Sequence, residues 1–145
     1  MARLHRSLAA LRISGDDLDP SEIITLLGCV PSQAQRKGQT FTSATGKTRT
    51  AKFGMWLIDA EDREPEDLNG QVAELLARLT SSMDMWRSIS ARYTIDLYCG
   101  FFMQETNEGL TISATTLRAL SDRGIELSLE LYFPSDENLE HHRVA

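Results

Sequence analysis

This chain is poor in the residues from which active sites are usually built. Its three histidines, His5, His141 and His142, all stand near the ends of the 145-residue sequence, where order is usually poorest. Its two cysteines, Cys29 and Cys99, are far apart and form neither a CxxC pair nor a disulfide framework. They read as reduced, buried thiols, which suits a cytoplasmic protein. No HExxH, GxSxG or Cys/His metal spacing occurs, so neither a metal nor a cofactor is expected. Long apolar runs are missing as well, and nothing approaches the length of a membrane span. Leu8-Ala-Ala-Leu11, behind Arg3 and Arg6, is too short for a signal-peptide core and is cut by Arg12. Positive charge is also scarce: 15 Lys and Arg face 21 Asp and Glu, a net charge of −6. That balance disfavours nucleic acid as a partner, because phosphate binding needs cationic neutralisation.

What is present has an ordinary globular balance, 41% apolar and 25% charged. One domain is expected over residues 1–134, followed by a polar tail, 135–145. The charge is placed in blocks. No acid occurs from Ile23 to Ile58, and all the lysines, Lys37, Lys47 and Lys52, fall in that window beside Arg36 and Arg49. From Asp59 to Asp67 the chain is strongly acidic, with Arg63 alone against it. Such blocks usually form solvated loops.

The chain is organised around Leu11 to Gly28, which reads as a strand, a polar turn and a capped helix. Asp19 is a good N-cap, Pro20 suits the first helical position, and Glu22 completes a capping box. Ile23, Leu26 and Leu27 make an apolar stripe, and Gly28 is a left-handed stop. Asp16, Asp17 and Asp19 also invite a calcium-loop reading. Counting from Asp17, however, the sixth and twelfth positions hold Glu22 and Gly28 where Gly and Glu are required. Turn and cap chemistry therefore explains the aspartates.

Further along, residues 39–50 read as a polar hairpin or loop. Ala51–Ile58 reads as a strand with Phe53, Met55 and Leu57 on one side and Lys52, Gly54 and Trp56 on the other. Leu68–Thr80 predicts a helix, and a second starts at Ser82 or Asp84. Tyr93–Phe102 alternates as a strand, Ser113 caps another helix, and residues 125–133 alternate again. Leu18-Asp-Pro-Ser-Glu-Ile-Ile-Thr-Leu-Leu-Gly28 is weakly repeated by Ile112-Ser-Ala-Thr-Thr-Leu-Arg-Ala-Leu120, with Gly124 as the later stop. The expected fold is α+β: a mainly antiparallel sheet with helices on one face, built from two related strand–helix–strand halves.

Leu11-Arg-Ile-Ser-Gly-Asp-Asp-Leu-Asp-Pro20, then Leu27-Gly28, Pro31, Arg36-Lys37-Gly38 and Gly54-Met-Trp56, resemble a largely bacterial family, the domain of unknown function numbered 4279. The resemblance covers nearly the whole chain. It implies no activity or catalytic residue, and only thinly an immunity or accessory role of the kind found in bacterial conflict systems.

Two motif-like stretches do not hold. Gly46-Lys47-Thr48 ends like a phosphate-binding loop, but the first glycine of that motif would fall at Phe41 and a strand follows instead of a helix. Lys52-Phe-Gly-Met-Trp56 echoes the aromatic strand of an RNA-recognition domain but lacks its glycine after the basic residue. Strand phase points elsewhere. If Met55, Cys99 and Leu129 face the helices, then Trp56, Tyr98, Phe102 and Tyr132 share the other face with Arg12, Lys52, Asp96 and Glu130. Aromatics flanked by charge are typical binding anchors, unless the 39–50 loop or the N-terminus covers them. The sequence thus suggests a non-enzymatic protein-binding module, with a protein partner or a second copy on that face. The alternative is a small anionic-ligand or enzyme domain using Arg36-Lys37-Gly38. A deep pocket lined by Arg36, Arg49 or Trp56 would favour that alternative; a flat aromatic face would favour the protein partner.

Overall fold

The computed structural model describes residues 2–134; the polar tail expected at 135–145, with His141 and His142, lies outside the described residues. In chain order the elements are β1 (Ala2–Arg3), β2 (Arg6–Gly15), α1 (Pro20–Leu27), β3 (Gln33–Gln35), β4 (Thr40–Thr42), β5 (Thr48–Thr50) and β6 (Gly54–Asp59). Then come α2 (Leu68–Ala77), α3 (Met83–Arg92), β7 (Thr94–Phe102), β8 (Glu108–Gly109), α4 (Ala114–Asp122) and β9 (Glu126–Tyr132).

The main sheet runs β3-β6-β2-β7-β9. β2 lies at its centre and pairs antiparallel with both β6 and β7, and β3 pairs antiparallel with β6. β9 instead pairs parallel with β7. The class is α+β, and the expected antiparallel pairing holds for every neighbouring pair of the main sheet except β7 and β9, which makes the sheet mixed. The reason is α4: a helical crossover returns the chain to run in the same direction beside the strand it left. In the two strand–helix–strand stretches the strand after the helix runs parallel to the one before it, but β9 lies directly beside β7 whereas β6 separates β3 from β2. β4 and β5 form the polar hairpin at 40–50.

Each helix starts on a short polar side chain. Asp19 Oδ1 accepts from Ser21 N at 2.9 Å, Asp67 Oδ1 from Gly70 N at 3.1 Å, and Ser113 Oγ from Thr116 N at 3.1 Å. Gly28, at φ 74°, closes α1, and its N–H donates to Ile24 O at 2.8 Å.

All four helices cover one face of the sheet. Ala9, Leu11 and Ile13 of β2 and Ile95, Leu97, Cys99 and Phe101 of β7 meet Ile23, Leu27, Leu75, Trp86, Ile89 and Leu120 in a single core. Trp56 belongs to this core too. It pairs with Ile13 across β2 and is 0% exposed, so the phase expected for β6 is reversed and Met55 and Leu57 face away from the helices. Gly54 shows why. A Cβ there would stand 2.6 Å from Gly15 O and 2.9 Å from Leu18 Cβ, so the strand enters the packed face on its smallest residue and carries Trp56 and Ile58 in with it.

The acidic stretch after β6 is solvated at Asp59, Glu61, Asp62 and Glu64, while its backbone is anchored to β2. Ser7 and Arg63 exchange two backbone hydrogen bonds of 2.9 Å. Gln71 of α2 reaches the same point: its Oε1 accepts from Ser7 Oγ at 2.7 Å, and its Nε2 donates to Ser7 O at 3.0 Å and Glu61 O at 2.9 Å. Both Ser7 and Gln71 are fully buried. This polar clip ties β2, the linker and α2 together.

Candidate functional site

The face of the sheet opposite the helices carries the even-numbered residues of β2, β7 and β9. Register sets Arg12 beside Asp96 and Arg6 beside Phe102, with Tyr98 next to Ser128 and Phe102 next to Tyr132. Their side chains are locked to one another. Arg12 Nε donates to Asp96 Oδ1 at 3.0 Å, and its Nη2 donates to Oδ2. Ser128 Oγ donates to the same Oδ2 at 2.8 Å. The Arg12 guanidinium lies 4.9 Å from the centre of the Tyr98 ring, a cation–π distance. Tyr98 donates its hydroxyl hydrogen to Glu130 and lies 3.2 Å from the Tyr132 hydroxyl. Phe102 stacks on Tyr132 with ring centres 4.7 Å apart, and the Arg6 guanidinium sits 5.2 Å from the Phe102 centre.

The electrostatics follow from these contacts. Burial, and then the hydrogen bond to Glu130, raise Tyr98 above the ordinary phenol range, so it stays protonated. The bonds from Tyr98 and then Tyr132 hold Glu130 below the usual carboxylate value. The hydrogen bond to Asp96 raises Arg12 further above its ordinary value. Beneath the face, burial pushes the Cys99 thiol up to about 12. These groups are fixed donors and acceptors, not acids and bases poised near neutrality. At the β6 end the face dips into a cleft of about 250 Å3 lined by Arg12, Ser14, Phe53, Met55, Thr94 and Asp96.

The structure sorts the residues singled out in the sequence. Tyr98, Phe102 and Tyr132 do come together, with Arg12, Asp96 and Glu130 among them, but Phe102 is buried, packed against Tyr132 and Arg6, and so is not an exposed anchor. Trp56 does not join them, being core. Lys52 is exposed in the turn ahead of β6. Arg36 and Lys37 stand apart from this face, and each is engaged: Arg36 Nη2 donates to Asp19 Oδ1 at 2.7 Å, and Lys37 Nζ to Asp16 Oδ2 at 3.1 Å. The aspartates that suggested a metal loop and the cations that suggested an anion site thus neutralise one another. Arg49 lies 4.6 Å from the Phe41 ring centre and reaches Gln35 Oε1 at 3.4 Å. Arg6 and Ser128 were not singled out, although both share the parity of Tyr98 within their strands.

A family model described as "Domain of unknown function (DUF4279)" matches residues 3–134. Comparison with curated proteins and with solved structures gives no match.

Proposed function

Because the chain belongs to the DUF4279 family, whose description assigns no activity, we propose on the geometry that it is a non-enzymatic module that binds a protein partner through the open sheet face. The observation that carries this reading is the ordering of the face before any partner arrives. Tyr98, Phe102, Tyr132, Arg6 and Arg12 hold one another in place by stacking, cation–π contact and hydrogen bonds. Tyrosine and arginine often dominate interface energetics, and binding costs less when their rotamers are already fixed. The cleft at the β6 end of the face is lined by none of Arg36, Arg49 and Trp56, the residues on which the ligand reading depends. The anionic-ligand reading loses support because Arg36 and Lys37 already face Asp19 and Asp16.

Affinity capture from the native cell, with the wild type and a Tyr98→Ala variant as parallel baits, tests the reading. A protein should be retained by the wild type and bind the variant about 30-fold more weakly, the loss expected of an interface hot spot. Capture that ignores Tyr98→Ala would overturn it. So would a small molecule that copurifies with the wild type and is lost from the variant.

A further inference from the structure

β9 closes one side of the main sheet, and among the described residues no strand pairs with its outer edge. Tyr132 O accepts from Met103 N at 3.0 Å. In a parallel pair, one residue directs both backbone groups to its neighbour and the next directs both away. The even residues of β9 therefore address β7, while Leu127, Leu129 and Leu131 point their N–H and C=O groups outward. The side chains of the same three leucines lie on the helix-bearing face, which α4 leaves partly uncovered. Leu129 is 48% exposed, Leu131 55%, and Leu117 of α4 47%. Between α4 and the start of β9 runs a mainly apolar groove of about 480 Å3, lined by Leu117, Leu120, Ile125 and Leu127, with Ser121, Gly124 and Glu126 completing it. Edge strands are commonly protected by lysine, proline or a bulge. Glu126–Tyr132 contains neither lysine nor proline, and its two charges stand on the other face.

We propose that β9 pairs antiparallel with β9 of a second copy about a two-fold axis at Leu129, joining two sheets into one. This uses the edge of the sheet, not its open face, and stands independently of the function proposed above. The register follows from the sequence of the strand. With the axis at Leu129, all seven residues of β9 align. Leu127 meets Leu131 of the second copy twice, Leu129 meets itself, and Glu130 meets Ser128. Shifting the axis to Ser128 sets Glu126 against Glu130, and shifting it to Glu130 sets two glutamates face to face. Like charges directly opposite are destabilising. A near-palindromic strand of this kind fits the isologous contact of a symmetric dimer. Leu131 of the second copy then arrives opposite Leu127, at the mouth of the α4 groove, and the exposed stripe is covered from both sides.

Sedimentation velocity of the full chain over a range of concentrations tests the pairing, alongside Leu129→Asp. Leu129 is half exposed, so this variant should keep the wild-type circular dichroism and denaturation midpoint. The wild type is expected to sediment as a dimer and Leu129→Asp as a monomer. The register is read by mild oxidation in a Cys29→Ser background. Hydrogen-bonded antiparallel partners lie about 5.5 Å apart at Cα, within disulfide range. Leu129→Cys should cross-link to itself and Leu127→Cys should not. A wild type that is monomeric throughout would overturn the proposal and leave the edge to residues 135–145 or to a different protein. A Leu129→Asp variant that still dimerises would overturn it as well. Cross-linking by Leu127→Cys alone would overturn the Leu129 axis.

Discussion

Trp56 offers a direct measure of which side of β6 is core. It is fully buried, and its indole Nε1 has no hydrogen-bond partner among the described residues. A tryptophan buries about 150–250 Å2, which at about 25 cal/mol per Å2 is about 4–6 kcal/mol. Alanine keeps the β-carbon and leaves a cavity, and core Trp→Ala changes cost about 3–5 kcal/mol. The unpartnered N–H works against the wild type by about 1–3 kcal/mol, and its removal returns that amount. With about 4 kcal/mol lost and about 2 kcal/mol returned, Trp56→Ala is therefore expected to cost about 2 kcal/mol. Trp56→Phe keeps most of the apolar volume while deleting the unpartnered donor, so its cost should stay near 1 kcal/mol or below, about that of a volume-conserving swap. Urea denaturation followed by far-UV circular dichroism reads both. An unchanged midpoint for Trp56→Ala would show that the residue is not core. A Trp56→Phe cost well above about 1 kcal/mol would show that the indole N–H is satisfied after all, and the argument from the unpartnered donor would fail.

Two further outcomes follow from buried or capped polar groups. Ser7→Ala should cost about 2–4 kcal/mol, because it leaves the buried Gln71 Oε1 and the partly buried Asp67 N–H without the hydroxyl they share. Ser7→Ala with Gln71→Leu should cost less than the sum of the single changes, and strict additivity in denaturation midpoints would disprove the clip. Hydrogen bonds from the Ser21 side chain and then its backbone lower Asp19 below its ordinary value. A depressed carboxylate stabilises above its unfolded value and loses that contribution as pH falls through the folded one. The gap in denaturation midpoint between wild type and Asp19→Ala should therefore be present at neutral pH and close in acid. A gap that persists there would exclude the charged cap as its source.

Local chemistry made part of this architecture legible in advance. Asp19, Pro20 and Gly28 mark the ends of α1 because capping depends on residues within one turn of each other. Alternation in 93–102 gave the correct phase for β7, since only one of its faces is continuously apolar. β6 misled because both its faces are apolar: Phe53, Met55 and Leu57 look as good a core stripe as Trp56 and Ile58. What decides between them is the close approach of Gly54 to Gly15 and Leu18, a contact between distant parts of the chain. The pairing of Arg36 with Asp19 and of Lys37 with Asp16 was hidden for the same reason. Strand direction was half visible. A helix between β7 and β9 is the usual signature of a parallel pair, but the alternation of β9 resembles that of an antiparallel strand with one wet face. Nor does alternation reveal that β9 is an edge, where Leu129 and Leu131 can face the helix side and still remain exposed.

The central position of β2 has a consequence for how the protein is made. The strand that fills the middle of the sheet emerges from the ribosome first. Ala10 must wait for Asp59 on one side and Tyr98 on the other. At about 5–20 residues per second, the second wait lasts roughly 4–18 s. Throughout that interval the nascent chain carries an apolar strand with at least one edge open. A ribosome that stalls after β6 would hold a three-stranded fragment with β2 as its unprotected border, a natural client for chaperones that recognise unpaired strands.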